Sequence, residues 1–194
     1  MNQITIWKLS PVGEPLATYL SPQNSPALIS ALSVNSSGIS VVGVLAERPF
    51  LLSATPTGVF AKPLFIGTNK SALNAVVRSP DGSVNLFGES SETLGGKKLA
   101  GTRDGILVKV SKTGAITSVV RSSAIKAQRS WLAADSTLTL TGYVKSGKVI
   151  ESAFTKFNSS FAPTWTMRIP STGSSTLLTA AGTTYGALSS NSAI

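Results

Sequence analysis

The chain has 194 residues, 42% hydrophobic and only 13% charged, with no cysteine and no histidine. Those absences remove disulfides, thiolate nucleophiles, the usual general base near neutral pH and the commonest transition-metal ligand, so no metal, cofactor or catalytic residue is expected. The net charge of +9 favours acidic partners, but charge alone supports only weak, salt-sensitive nucleic-acid binding and the few aromatics sit in apolar strands, so specific nucleic-acid recognition is not expected.

The chain opens on two short strands, Ile4–Leu9 and Pro15–Leu20, joined by a turn at Ser10–Gly13. The following uncharged stretch, Pro15–Ala46, is broken by Pro22, Pro26, Gly38 and many serines. It is therefore no membrane span, which needs roughly 20 mostly apolar residues. Residues 28–63 read as four strands punctuated by turn residues, and the pattern then returns more clearly. Ala72–Arg78 and Ser83–Gly88 form a hairpin around SPDG (Ser79–Gly82), and Gly105–Ser111 and Ile116–Ser122 follow around a turn at Lys112–Gly114. Pro and Gly stand where such turns want them. The same order fits Arg129–Ile169, and the chain closes on Ser175–Ala180 and Thr183–Leu188. No apolar pattern of helical period persists beyond about two turns.

Two landmarks recur. Strands ending in glycine (SGISVVG, GSVNLFG, STLTLTG, AGTTYG) place Gly43, Gly88, Gly142 and Gly186 at spacings of 45, 54 and 44 residues. Strands running into a turn (WKLSPVG, LSATPTG, VKVSKTG, TKFNSSF) place Gly13, Gly58, Gly114 and Phe161 at spacings of 45, 56 and 47. Two independent landmarks in one rhythm indicate a repeat architecture. The expected fold is all-β, a β-propeller of four-stranded antiparallel blades with about four blade equivalents. Its units fall at roughly 1–27 and 173–194 (half blades), 28–70, 71–127 and 128–172.

The segments AVVRSPDGSVNLFGES (Ala75–Ser90) and DGILVKVSKTGAITSVV (Asp104–Val120) resemble the SBBP-type β-propeller repeat of bacterial proteins. The match is good over the third unit, moderate over the first and weak over the second and fourth. Phe161 departs from it by replacing the turn glycine, and Ser53 by replacing the lysine found at Lys8, Lys109 and Lys156. The resemblance implies architecture and no catalytic residues. Other propeller families fit less well: SPDGSVNLF misplaces the glycine of a sialidase box, and Trp7, Trp131 and Trp165 precede Lys, Leu and Thr rather than Asp.

Residues 71–150 carry 11 of the 17 basic side chains against five acidic ones. The densest patch is the loop ESSETLGGKKLAGTR (Glu89–Arg103), the long insertion of the third unit. Lys97, Lys98 and Arg103 within it are the candidate binding residues, suited to an anionic glycan or an acidic protein. The loop lacks the order of a phosphate-binding P-loop. The competing reading is a solvated loop whose charges serve solubility. The three strand lysines read either as an anion-binding ring or as solvated residues that discourage edge pairing, and the second reading is favoured.

The expected function is a non-catalytic scaffold or binding module of a larger exported or surface protein. The alternative is a piece of a carbohydrate-active enzyme using Asp81, Glu89 and Asp104. Joined, the two terminal half blades make one blade and a closed ring of four. Asn191–Ile194, however, stand where a third strand should begin, and the N-terminus already supplies that strand. This favours a ring larger than this chain, first as part of a longer protein and second as two copies forming eight blades.

Overall fold

A computed structural model describes residues 3–123 and 125–190, so Asn191–Ile194 lie outside the described residues. Sixteen strands and no helix are found among the described residues. They are β1 (Thr5–Leu9), β2 (Pro15–Leu20), β3 (Ala27–Asn35), β4 (Gly38–Leu45), β5 (Arg48–Ala54), β6 (Leu64–Phe65), β7 (Ser71–Arg78), β8 (Val84–Ser90), β9 (Asp104–Val110) and β10 (Ile116–Ser122). There follow β11 (Gln128–Ala134), β12 (Thr139–Ser146), β13 (Val149–Phe157), β14 (Pro163–Pro170), β15 (Ser175–Ala180) and β16 (Thr183–Leu188). They form five antiparallel sheets, counted in chain order: the hairpin β1–β2, the four-stranded meanders β3–β6, β7–β10 and β11–β14, and the hairpin β15–β16. β6 is the stunted member. Prolines at 56 and 63 flank its approach, and a residue without an N–H cannot extend a ladder.

The closing glycines have a steric cause. In each meander the first strand carries a β-bulge, between Ile29 and Ala31, between Leu73 and Ala75, and between Trp131 and Ala133. Gly43, Gly88 and Gly142 pair with the residue before each bulge. A Cβ on any of them would overlap the carbonyl oxygen of Leu28, Ala72 or Ser130. The β15–β16 ladder has no bulge, and there the Gly186 position is crowded by the Phe154 ring instead.

The turns that follow β1, β5, β9 and β13 are built alike. In each, a first residue donates its N–H to the carbonyl four residues on and accepts the N–H three residues on, as Ser10, Thr55, Ser111 and Asn158 do. The side-chain oxygen of that residue also accepts the N–H four residues on, from Glu14, Val59, Ala115 and Ala162. This is the local bonding by which Ser, Thr and Asn select turns. The penultimate turn position is left-handed in all four, at φ 88° for Gly13, 83° for Gly58, 87° for Gly114 and 62° for Phe161. Phe161 therefore holds a conformation that disfavours a side chain.

Burial explains why the middle strands read as unbroken apolar runs. The β7–β10 meander is covered on both faces. Leu73, Val76, Leu86, Ile106 and Val108 pack with Val42 and Leu51 of β4 and β5. Ala75, Val77, Phe87 and Leu107 point the other way, onto Trp131, Leu140, Phe157 and Phe161. A third cluster joins Ile4 and Ile6 of the first hairpin to Ile39, Val41, Phe50 and Leu52. The sheets thus stack in chain order, and β3–β6 and β7–β10 each contribute alternate residues to two cores. No core cluster among the described residues joins the last hairpin back to the first. The outer elements stay apolar and open: Trp7 is 65% exposed, Leu178 63% and Tyr185 64%.

Polar ties fix the stacking. The Arg78 guanidinium, at the end of β7, donates to Ser37 Oγ at 2.8 Å, Ser40 Oγ at 3.1 Å and the Ser37 carbonyl at 2.9 Å. Asn35 returns a bond to the Arg78 carbonyl at 2.8 Å. On the opposite face, Asn74, the extra residue of the β7 bulge, donates to the Trp131 carbonyl at 2.9 Å. The bulge therefore aims a side chain at the neighbouring sheet.

Candidate functional site

The loop between β8 and β9 is pinned along its length. Leu94 and Lys97 exchange backbone hydrogen bonds of 3.1 and 3.0 Å across Gly95 and Gly96, whose φ values of 56° and 71° suit a two-residue hairpin turn. The two glycines thus make a turn and no phosphate cradle. Leu94 is buried among the apolar residues between the second and third sheets. Lys97 and Lys98 stand exposed on this hairpin.

Arg103 is placed apart from those lysines in role. Its guanidinium pairs with Glu89 at 2.9 Å, and Tyr143 Oη donates to the same carboxylate at 3.4 Å. Its carbonyl accepts the Arg129 N–H at 2.9 Å, tying the loop to β11. Lys97 and Lys98 are thus the loop's outward cations, whereas Arg103 bridges two sheets.

The carboxylates have structural partners. Asp104 is fully buried and receives Arg121 Nε at 2.7 Å with the N–H groups of Ala100 at 2.9 Å and Gly101 at 2.8 Å. Burial pushes its carboxyl up, but the hydrogen bonds from Ser123, Ala100, Arg121 and Gly101 outweigh that and hold it below the usual carboxylate range. Arg121 goes on to the Ser90 carbonyl at 3.1 Å and the Lys97 carbonyl at 3.4 Å, closing the loop. Glu92 accepts from Thr68 and Ser71, and Asp81 accepts the Ser83 N–H and hydroxyl within its turn. No group of three or more metal-ligating side chains occurs among the described residues.

Two of the three strand lysines serve their own sheets. Lys156 Nζ donates to the Thr137 carbonyl in the β11–β12 turn. Lys109 lies close enough to Asp81, in the β7–β8 turn, to help hold that carboxyl down after its bonds to Ser83. Lys8 is exposed.

Among the clefts between sheets, one of about 130 Å³ beside Arg78 is lined by Lys62, Lys112, Ser53 and Ser111. Another, of about 260 Å³, lies between the third and fourth sheets and is lined by Arg121, Ser122, Arg129, Thr155, Phe161 and Thr166. Arg129 was invisible to sequence reasoning as anything but one more surface cation. It is only 8% exposed, with its guanidinium 4.1 Å above the Trp131 ring. The cation on an indole face two residues away is the one signal available in advance.

The chain matches no family model and no curated protein. No helix among the described residues is long and apolar enough to cross a membrane.

Proposed function

We propose that the chain is an arc of a β-propeller, serving as a non-catalytic scaffold or binding module of a larger exported or surface protein. One observation carries this reading. The first strands of successive sheets, β3, β7, β11 and β15, pack each on the next, the order in which blades follow one another around an axis. The resemblance of Ala75–Ser90 and Asp104–Val120 to the SBBP-type repeat supports the same architecture. The engagement of Asp104 supports scaffolding over hydrolysis, because a buried carboxylate held by Arg121 and two backbone N–H groups is not free to move protons.

The partner is an anionic glycan or an acidic protein, met by Lys97 and Lys98. β1–β2 has the order of the third and fourth strands of a blade and β15–β16 that of the first and second, so the hairpins of two copies complement one another. Binding of a panel of sulfated and carboxylated glycans at two salt concentrations tests the module. Salt-sensitive binding lost in Lys97→Ala with Lys98→Ala supports it, and binding unchanged by the pair removes the loop. Turnover of any glycan, abolished by Glu89→Gln, restores the enzyme reading. A solution mass of twice 20.0 kDa, returned to the single value by Leu178→Asp, supports pairing of two copies.

A further inference from the structure

The cleft between the third and fourth sheets holds a charge that no carboxylate among the described residues pairs with. Arg129 is more than nine-tenths buried, and no carboxylate pairs with it among the described residues. Its Nε has no acceptor, and Nη2 reaches Thr155 Oγ1 only at 3.5 Å. Trp131, stacked beneath it, likewise keeps a buried Nε1–H without an acceptor. Burying an unpaired guanidinium is expensive, and folded proteins normally supply a counter-charge. Asp104 is already taken by Arg121, and Glu151 by Arg168. Arg168 adds a second positive field: burial, and then the Arg168 charge, push the Arg129 guanidinium down to about 10.

The remaining lining is hydroxylic. Thr155 and Thr166 share a hydrogen bond of 3.1 Å, so one hydroxyl proton of the pair remains to be offered. Ser122, at the end of β10, also lines the cleft. The cleft, at about 260 Å³, is far larger than the roughly 10–15 Å³ one water requires. A guanidinium edge with several hydroxyls suits an acceptor with three or more oxygens better than a planar carboxylate, which offers two.

We propose that this cleft binds a tetrahedral oxyanion, sulfate or phosphate, with Arg129 as its main cation and the free hydroxyl proton of the Thr155–Thr166 pair, together with Ser122, as donors. The group arrives either as the free ion or as an ester on a larger glycan. The site is separate from Lys97 and Lys98 and stands whether or not the sheets belong to a propeller.

The test is thermal unfolding and calorimetric titration of the intact chain with millimolar sodium sulfate, against sodium chloride of equal ionic strength. The wild type is expected to gain several degrees in sulfate beyond the chloride control. Arg129→Met is expected to lose that gain, and Thr166→Val to weaken sulfate affinity several-fold. Should Arg129→Met fail to fold, Thr166→Val and Arg168→Ala carry the comparison, and sulfate affinity unchanged in both overturns the proposal. So do equal shifts in sulfate and chloride, or a wild-type sulfate shift in Arg129→Met. Glucosamine 6-sulfate separates the two sources: tighter binding than inorganic sulfate assigns the ester, and equal binding assigns the free ion.

Discussion

Phe161 meets Phe87 edge to face, with ring centroids 6.2 Å apart and planes at 73°, from a backbone position where the three equivalent turns carry glycine. A left-handed residue with a side chain costs about 1–2 kcal/mol. The burial of its ring between the third and fourth sheets offsets that cost, since Phe161 is 4% exposed. Phe161→Ala is expected to destabilise by about 3–5 kcal/mol, as truncation of a buried phenylalanine does. Phe161→Gly removes the same ring but frees the backbone, and is expected to be the milder variant by about 1 kcal/mol. Urea unfolding of the pair measures the difference. Alanine proving the milder of the two would show that the turn carries no strain.

The glycines divide into two groups by what surrounds them. Gly88→Ala drives a methyl group into the Ala72 carbonyl in the doubly covered central sheet. The bulge must then open, and loss of more than about 3 kcal/mol or failure to fold is expected. Gly114→Ala meets nothing within 4 Å and suffers only its φ of 87°. That variant is expected to fold and to lose about 1 kcal/mol. Similar losses in the two would mean that bulge packing is unimportant.

The strand pattern was legible because a strand's apolar residues and turn residues announce themselves locally. β15 and β16 occupy Ser175–Ala180 and Thr183–Leu188 as expected, and β7–β10 shift from expectation by no more than two residues. The glycine landmarks were visible as a rhythm, but their cause, the bulge opposite each, depends on pairing across strands and has no local signature. Leu94 and Asp104 show the same limit from the other side. Within ESSETLGGKKLAGTRD both look like solvated loop residues, yet one is a core anchor and the other is fully buried. Burial is set by the neighbouring sheet, which single-chain periodicity does not describe. Arg129 escaped notice for that reason too. The arrangement of the sheets was read in part: four-stranded antiparallel meanders are present, while closure into a propeller belongs to the proposal.

Arg78 tests how the second and third sheets are held. Its three donated bonds end on Ser37 and Ser40, and burial alone pushes the guanidinium down from its ordinary value. Hydrogen bonds from a charged group contribute about 1.5–3 kcal/mol in total stability terms. Arg78→Met is therefore expected to destabilise by about 2 kcal/mol and to speed amide exchange in β3 and β4 ahead of β12 and β13. Arg78→Lys should recover little, because one ammonium cannot span the planar fork. Uniform acceleration of exchange across all sheets would argue against a local tie.

Acid should loosen the β8–β9 loop first. The Asp104 carboxyl is held below its unfolded value, so its contribution is complete above the ordinary carboxylate range, near pH 4, and is lost as pH falls through the folded value. Asp81, Glu92 and Asp135 are held down as well and act in the same direction. Thermal midpoints recorded from pH 7 down to pH 2 should therefore fall most steeply below about pH 4. Asp104→Asn leaves Arg121 buried beside a neutral amide, and the side chains are only 7% and 0% exposed. Breaking such a pair costs about 3–5 kcal/mol, so the variant should start from a lower midpoint and show a shallower acid slope. A variant with the wild-type slope would place the acid sensitivity elsewhere, whereas recovery of stability in Asp104→Asn with Arg121→Met would confirm that the unpaired guanidinium was the damage.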